Sequence, residues 1–134
     1  MIHKDNKGFS LVELIIVIAI MAVLVSVLAP QYLKHVRESK ITYDINNAEQ
    51  IADATATALA DEEEALTVPA QGSTINVTAA DLPNISVFPE SRVNPSYPWV
   101  VTVDSEGVDI ITLGGYEIWP NADDPVDGYR TNND

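Results

Sequence analysis

The stretch KGFSLVEL, residues 7–14, decides the fold because an apolar run long enough to cross a membrane begins there. The run covers residues 9–29, and three polar side chains interrupt it: Ser10, Glu13 and Ser26. A helix needs about 20 mostly apolar residues to span the hydrocarbon core of a bilayer. Lys4 and Lys7 precede the run, and basic flanks stay on the cytoplasmic side. The sequence therefore predicts one membrane-spanning helix with a cytoplasmic N terminus.

Three kinds of segment fit such a run: a cleaved secretory signal, an ordinary membrane anchor, or a more specialised helix. A secretory signal needs small residues before its cleavage site. The best candidate here, residues 27–29, is followed by Pro30, a poor start for a cleaved product. An ordinary anchor leaves Glu13 unexplained, because a carboxylate in a bilayer core is costly unless it is paired or protonated. The Glu13 side chain therefore needs a partner.

The motif Gly8-Phe9-Ser10-Leu11-Val12-Glu13-Leu14, with a short basic leader before it and Pro30 after the apolar run, resembles the start of a type IV prepilin or pseudopilin. The resemblance covers roughly residues 4–45, and beyond them it is one of architecture. It implies three parts: a leader peptide at residues 1–8, a transmembrane and filament-core helix at 9–30, and a globular head at 31–134.

The resemblance also assigns roles to individual residues. Gly8 would be the last leader residue before the cut of a prepilin peptidase, and Phe9 would become the new N-terminal residue, commonly N-methylated in this family. Glu13 would then hold the fifth position of the mature chain. The ammonium group created at Phe9 can neutralise the Glu13 carboxylate of a neighbouring subunit inside an apolar bundle, which fixes the axial register. The alternative is a carboxyl group that is merely protonated near the interface.

The apolar residues surround the first part of the helix on all sides, as expected if lipids and later identical helices are its neighbours. Pro30 removes one helical hydrogen bond, which predicts a kink or local melting near residues 26–30. The chain has no nucleotide site, so extraction from the membrane would depend on a separate assembly ATPase and its membrane platform.

After Pro30 the pattern becomes amphipathic, which predicts that one helix face packs on a sheet. The expected apolar stripe is Leu33, Val36 or Arg37, Ile41, Ile45, Ala48, Ile51 or Ala52, Thr55 and Leu59. Asn47 is expected on another face with charged neighbours. The helix should end at about Ala60, because the acids at 61–64 oppose the dipole at a helix C terminus.

The rest of the chain reads as short strands. Residues 74–78 and 85–88 are weak strand candidates separated by a turn. Residues 99–103 and 108–113 flank a turn and predict a hairpin, and Gly114-Gly115 allows a further reversal into residues 116–119. The expected fold is α+β, with a long N-terminal helix packed on an antiparallel sheet. Trp99 is expected in the core of the sheet, although an exposed adhesive aromatic patch is an alternative.

Composition argues against several functions. The formal net charge is -13, and after residue 40 there are 17 Asp or Glu residues against Arg92 and Arg130. Such a surface repels nucleic acid, so direct binding is not expected. No nucleophile, phosphate loop or zinc spacing suggests an enzyme. The chain has no cysteine. It therefore departs from the C-terminal disulfide loop of many Gram-negative major pilins, which mildly favours a Gram-positive or pseudopilin-like relative.

A calcium site is the one cofactor that the sequence suggests. Asp123, Asp124 and Asp127 could supply oxygen ligands, as a C-terminal loop does in major pseudopilins. Their spacing matches no standard calcium loop, and Pro125 interrupts it. A solvated acidic surface without any cofactor is the simpler interpretation.

The function indicated is a structural subunit of a type IV pilus or related filament, which polymerises with itself and with minor pilins. It would lie in the cytoplasmic membrane before assembly and in an extracellular filament afterwards. One alternative is a pseudopilin of a type II secretion or DNA-uptake system. Another is a single-span anchored binding module that never polymerises.

Overall fold

The computed structural model describes residues 8–61, 66–82, 85–120 and 129. Within them lie one long helix, α1 (Leu11–Ala60), a single-turn 3-10 helix (Ala79–Asp81) and four strands. The strands are β1 (Ile75–Val77), β2 (Trp99–Asp104), β3 (Gly107–Leu113) and β4 (Tyr116–Trp119). The predicted α+β class is confirmed. The chain divides into two compact units, Met1–His35 and Val36–Asp134, and α1 begins in the first unit and ends in the second.

The first unit contains the apolar part of α1. Its large apolar side chains are all exposed, and none of the most apolar window is buried. The helix continues through Pro30, whose missing N–H leaves the Ser26 carbonyl without its helical donor. The Ser26 hydroxyl donates to the Val23 carbonyl at 2.7 Å, so it is satisfied within the helix. The kink or melting near Pro30 stays a prediction.

The second unit buries one face of the remaining part of α1. The buried residues of the helix are Ile41, Asp44, Asn47, Ala48, Ile51, Ala52, Thr55 and Ala58. The predicted stripe is therefore largely right from Ile41 onward, but Leu33 is exposed. The placement of Asn47 on an outer face was wrong: it is buried, and its Nδ2 has no hydrogen-bond partner among the described residues.

The four strands form one antiparallel sheet in the order β1-β2-β3-β4. The predicted hairpin is confirmed, with Val101 opposite Ile111 across β2 and β3. The strand predicted at 85–88 was wrong, because no strand is present between Ala79–Asp81 and Trp99 in the residues described. This stretch instead forms a loop that packs Ile85 and Phe88 against the core.

Aromatic side chains complete the core on one side of the sheet. Trp99 is half-buried and donates its indole N–H to the Pro89 carbonyl at 2.7 Å, which supports its predicted role as a core residue. The rings of Tyr97, Tyr116 and Tyr129 contact one another, with centroid separations of 5.8 to 6.5 Å. Gly114 has a φ of +62°, and a Cβ there would lie 2.6 Å from the Tyr97 ring. Glycine therefore allows both the turn and the close approach of the ring.

Candidate functional site

The predicted cleavage position lies just before α1. Gly8 and Phe9 precede the helix, and Phe9 is 94% exposed. A Cβ added to Gly8 would meet no atom within 4 Å. Nothing in the described part of the chain therefore requires glycine at this position. A steric requirement for glycine would have to come from another molecule that grips this peptide.

Glu13 has a partner within its own chain. The Ser10 N–H donates to Glu13 Oε2 at 3.1 Å, and the Glu13 N–H donates to Ser10 Oγ at 3.2 Å. The Ser10 carbonyl accepts the first helical hydrogen bond, from the Leu14 N–H. Ser10 is thus the N-cap of α1, and Glu13 completes a reciprocal capping box.

The capping box gives Glu13 a second role, which our predictions did not include. The sequence signal for it is the pattern Ser10-x-x-Glu13 before an apolar run. The hydrogen bond donated by the Ser10 N–H directs the Glu13 carboxyl group toward the backbone of Ser10, two residues after Gly8. If the chain were cut after Gly8, the new ammonium group of Phe9 would be the backbone nitrogen immediately before that of Ser10.

The apolar part of α1 needs a covering that the described part of this chain does not supply. Its most apolar window has a mean hydropathy of 3.1 and is long enough to cross a bilayer. Length and composition alone also fit a signal sequence. Exposed apolar surfaces of this extent mark contacts with lipid or with other proteins. The apolar part of α1 therefore needs lipid or other apolar protein surfaces as its neighbours.

The calcium ligands predicted at Asp123, Asp124 and Asp127 lie outside the described residues. Within the described ranges, no group of three His, Asp or Glu side chains is arranged to hold a metal ion. The calcium site thus stays a prediction.

The second unit contains a buried polar cluster that the sequence pattern did not indicate. The Asp44 carboxyl group is fully buried and accepts hydrogen bonds from the Ser91 hydroxyl at 2.6 Å and the Arg92 N–H at 2.8 Å. The Tyr129 hydroxyl also donates to Asp44. Burial and the Asp44 carboxyl group raise the pKa of Tyr129 well above its ordinary value. The cluster thus connects the loop that contains Ser91 and Arg92, and also Tyr129, to α1 by hydrogen bonds.

These features define a class: an α+β protein whose exposed apolar N-terminal helix follows a Gly-Phe step and carries an acid in its first turn. The family described as the prokaryotic N-terminal methylation motif matches residues 3–29. This range includes Gly8, Phe9 and Glu13.

Two relatives extend the likeness beyond the motif. A type IV major fimbrial protein FimA from Dichelobacter nodosus is 29% identical over 114 residues, which cover 81% of this chain and 72% of that protein. A second protein of that name and organism is 36% identical over 75 residues, 56% of this chain. That second match spans about half of the relative, 48% of its length. No solved structure is significantly similar to this chain.

By its motif and its relatives, the chain is similar to type IV pilins. The resemblance to type IV pilins and pseudopilins is confirmed by the motif, by the fimbrial relatives and by the long helix with its four-stranded antiparallel sheet. The pilins are structural proteins rather than enzymes.

Proposed function

We propose that the chain is a structural subunit of a type IV pilus or a related filament. A prepilin peptidase would cut it after Gly8, its Phe9 amine would be methylated, and its apolar helix would pack with identical helices in the filament core. The observation that carries the proposal is the wholly exposed apolar part of α1. A soluble monomer could not leave so much apolar surface uncovered.

The path to the filament would begin in the cytoplasmic membrane, with the N terminus inside and the head outside. An assembly platform and its ATPase would move the subunit from lipid into the growing filament, which would extend outside the cell. Because the helix passes from one apolar environment to another, its transfer avoids the cost of exposure to water. Minor pilins would share the same helix packing.

Glu13 would act at the transfer step. In the monomer its carboxylate accepts from the Ser10 N–H, so it is not left without a donor in the membrane. In the filament the Phe9 ammonium of a neighbour would add a charged partner, since charge-assisted hydrogen bonds are stronger than neutral ones. The pair would set the axial register between subunits.

Mass spectrometry of the N-terminal peptide from sheared surface material tests this proposal. The expected peptide begins at Phe9, with or without a methyl group, in sheared filaments. Glu13→Gln should leave cleavage intact and reduce the yield of filaments, while the matched control Glu49→Gln on the same helix should not. A chain that keeps its leader and stays in the membrane would instead indicate a non-polymerising anchored module. Normal filaments from Glu13→Gln would contradict the pairing.

A further inference from the structure

Two basic residues and a tyrosine form a positive patch on the second unit. Lys40, Tyr43 and Arg92 line one shallow depression. The guanidinium carbon of Arg92 lies 4.8 Å from the centroid of the Tyr43 ring. A cation above an aromatic face is attracted by the ring and held in place. This ring therefore orients Arg92, and we call the three residues the basic patch.

The side-chain cations of the basic patch are not paired with an acid in the described part of the chain. No carboxylate oxygen of the described residues lies within 4.0 Å of the Lys40 ammonium or of the Arg92 guanidinium nitrogens. The contact of Arg92 with Asp44 is made by the backbone N–H of Arg92. Glu90 lines the same depression without pairing with either cation. The chain has 17 acidic residues after position 40, so unpaired cations are not due to a shortage of carboxylates. The patch is free to receive a carboxylate from outside the subunit.

The same unit carries a complementary surface. Asp53 and Glu106 line a groove of about 410 Å³, whose apolar lining includes Leu59, Val68 and Trp119. Both acids are exposed. The Asp104 carboxyl group accepts from the Glu106 N–H at 2.8 Å, which fixes the turn that carries Glu106. We call this surface the acidic groove.

The two surfaces cannot meet within one subunit. Lys40 and Asp53 are thirteen residues apart on α1. A helix rises 1.5 Å and turns 100° per residue, which separates the two positions by about 20 Å along the axis and about 140° around it. Contact between two different surfaces of identical subunits is heterologous, and such contacts generate open filaments when the rotation does not close a ring.

We propose that the basic patch of one copy of this chain docks into the acidic groove of the next copy. The inference rests on the proposed filament function and adds a specific interface between heads. The partner is a second copy because its acidic groove offers charges opposite to those of the patch. Lys40 and Arg92 would approach Asp53 and Glu106, with the Tyr43 ring against the apolar lining of the groove.

Cysteine crosslinking tests the interface in assembled filaments, because the natural chain has no cysteine. The full-length double variant Lys40→Cys with Asp53→Cys is treated with a bismaleimide shorter than the spacing between the two positions within one chain. The expected result is a ladder of multimers on a denaturing gel. The controls, Lys40→Cys alone and Asp53→Cys alone, carry one thiol per subunit and should give no ladder.

Other outcomes would overturn the proposal. Filaments that form normally but give no ladder would exclude this interface while leaving the filament function intact. Dimers from Lys40→Cys alone would show that the patch pairs with itself. Failure of the unmodified chain to form filaments would instead count against the proposed function.

Charge reversal provides a second measurement. Arg92→Glu should lower the yield of sheared filaments several-fold, and adding Glu106→Arg should restore it because the opposite charges face each other again. Equal yields from the wild type and Arg92→Glu would overturn the role of this pair.

Discussion

The two parts of helix α1 differ in what covers their apolar side chains. Between Leu11 and Leu33 every large aliphatic side chain is at least 50% exposed, whereas eight residues from Ile41 onward are buried. The later part packs on the core of its own chain, and the earlier part must be covered by lipid or by other proteins. One continuous helix thus has one part stabilised by its own fold and one part that depends on its surroundings.

The largest expected effect comes from removing the buried carboxyl group of the second unit. Asp44→Ala should lower the free energy of unfolding of the head by about 4 kcal/mol, because the buried hydroxyls of Ser91 and Tyr129 and the Arg92 N–H lose their acceptor. Thermal unfolding of the full chain in detergent, followed by near-UV circular dichroism, measures it. The control Asp53→Ala removes an exposed carboxylate from the same helix and should change stability by less than about 0.5 kcal/mol. Equal effects would contradict the burial argument.

The same substitution made in each part of the helix tests whether the two parts are stabilised independently. Ile51→Ala should destabilise the head by about 3 kcal/mol, since it leaves a cavity in a packed core. Ile16→Ala removes the same atoms from an exposed site and should leave head unfolding unchanged. The same thermal unfolding in detergent distinguishes them. Destabilisation of the head by Ile16→Ala would mean that the two parts are not independently stabilised.

Alkaline pH tests the second unit through Tyr129, which lies in its core. The pKa of Tyr129 is raised in the folded state by burial and by Asp44. A raised folded pKa means that the contribution of this group is complete below the ordinary tyrosine pKa of about 10 and is lost as pH rises above it. Unfolding measured between pH 8 and pH 11 should show this fall in stability, and Tyr129→Phe should flatten it. An unchanged pH profile in Tyr129→Phe would contradict the assignment.

The smallest effect on stability is expected at the start of the exposed part of α1. Ser10→Ala removes the N-cap and should cost about 1 kcal/mol. The cost should appear as faster amide hydrogen exchange over residues 11–14, with unfolding of the head unchanged. Ser26→Ala is the control, because the Ser26 hydroxyl bonds to a carbonyl inside the helix. Faster exchange throughout α1 would indicate that the cap supports more than the first turn.

Local patterns predicted most of the fold. The helix end at Ala60, the hairpin of β2 and β3 and the reversal at Gly114 follow from periodicity and turn residues, which act over short distances. The wrong prediction of a strand at 85–88 has a physical reason. Its β-branched residues suit a strand, but the neighbouring loop supplies Ser91 and Arg92 to Asp44, and β2 pairs with β1 and β3 instead.

Contacts between residues far apart in the sequence could not be predicted for the candidate site. The motif from Gly8 to Glu13 is contiguous, so it could be recognised from the sequence. The capping-box pattern of Ser10 and Glu13 lies within the same motif. The bond from Ser91 to Asp44 joins residues 47 positions apart, and no helical or strand period encodes such a pairing. The basic patch likewise appears only when Arg92 is placed over the ring of Tyr43.

If the head is exported as we propose, the Asp44 cluster also implies an order of events. Tyr129 follows Asp44 by 85 positions, so the ribosome makes the acceptor long before it makes this donor. If the head is translocated from its N-terminal side, Asp44 reaches the outer face early and Ser91 follows. The cluster closes only when Tyr129 has also crossed. Under the proposed export, the complete cluster would therefore form only at a late stage of translocation.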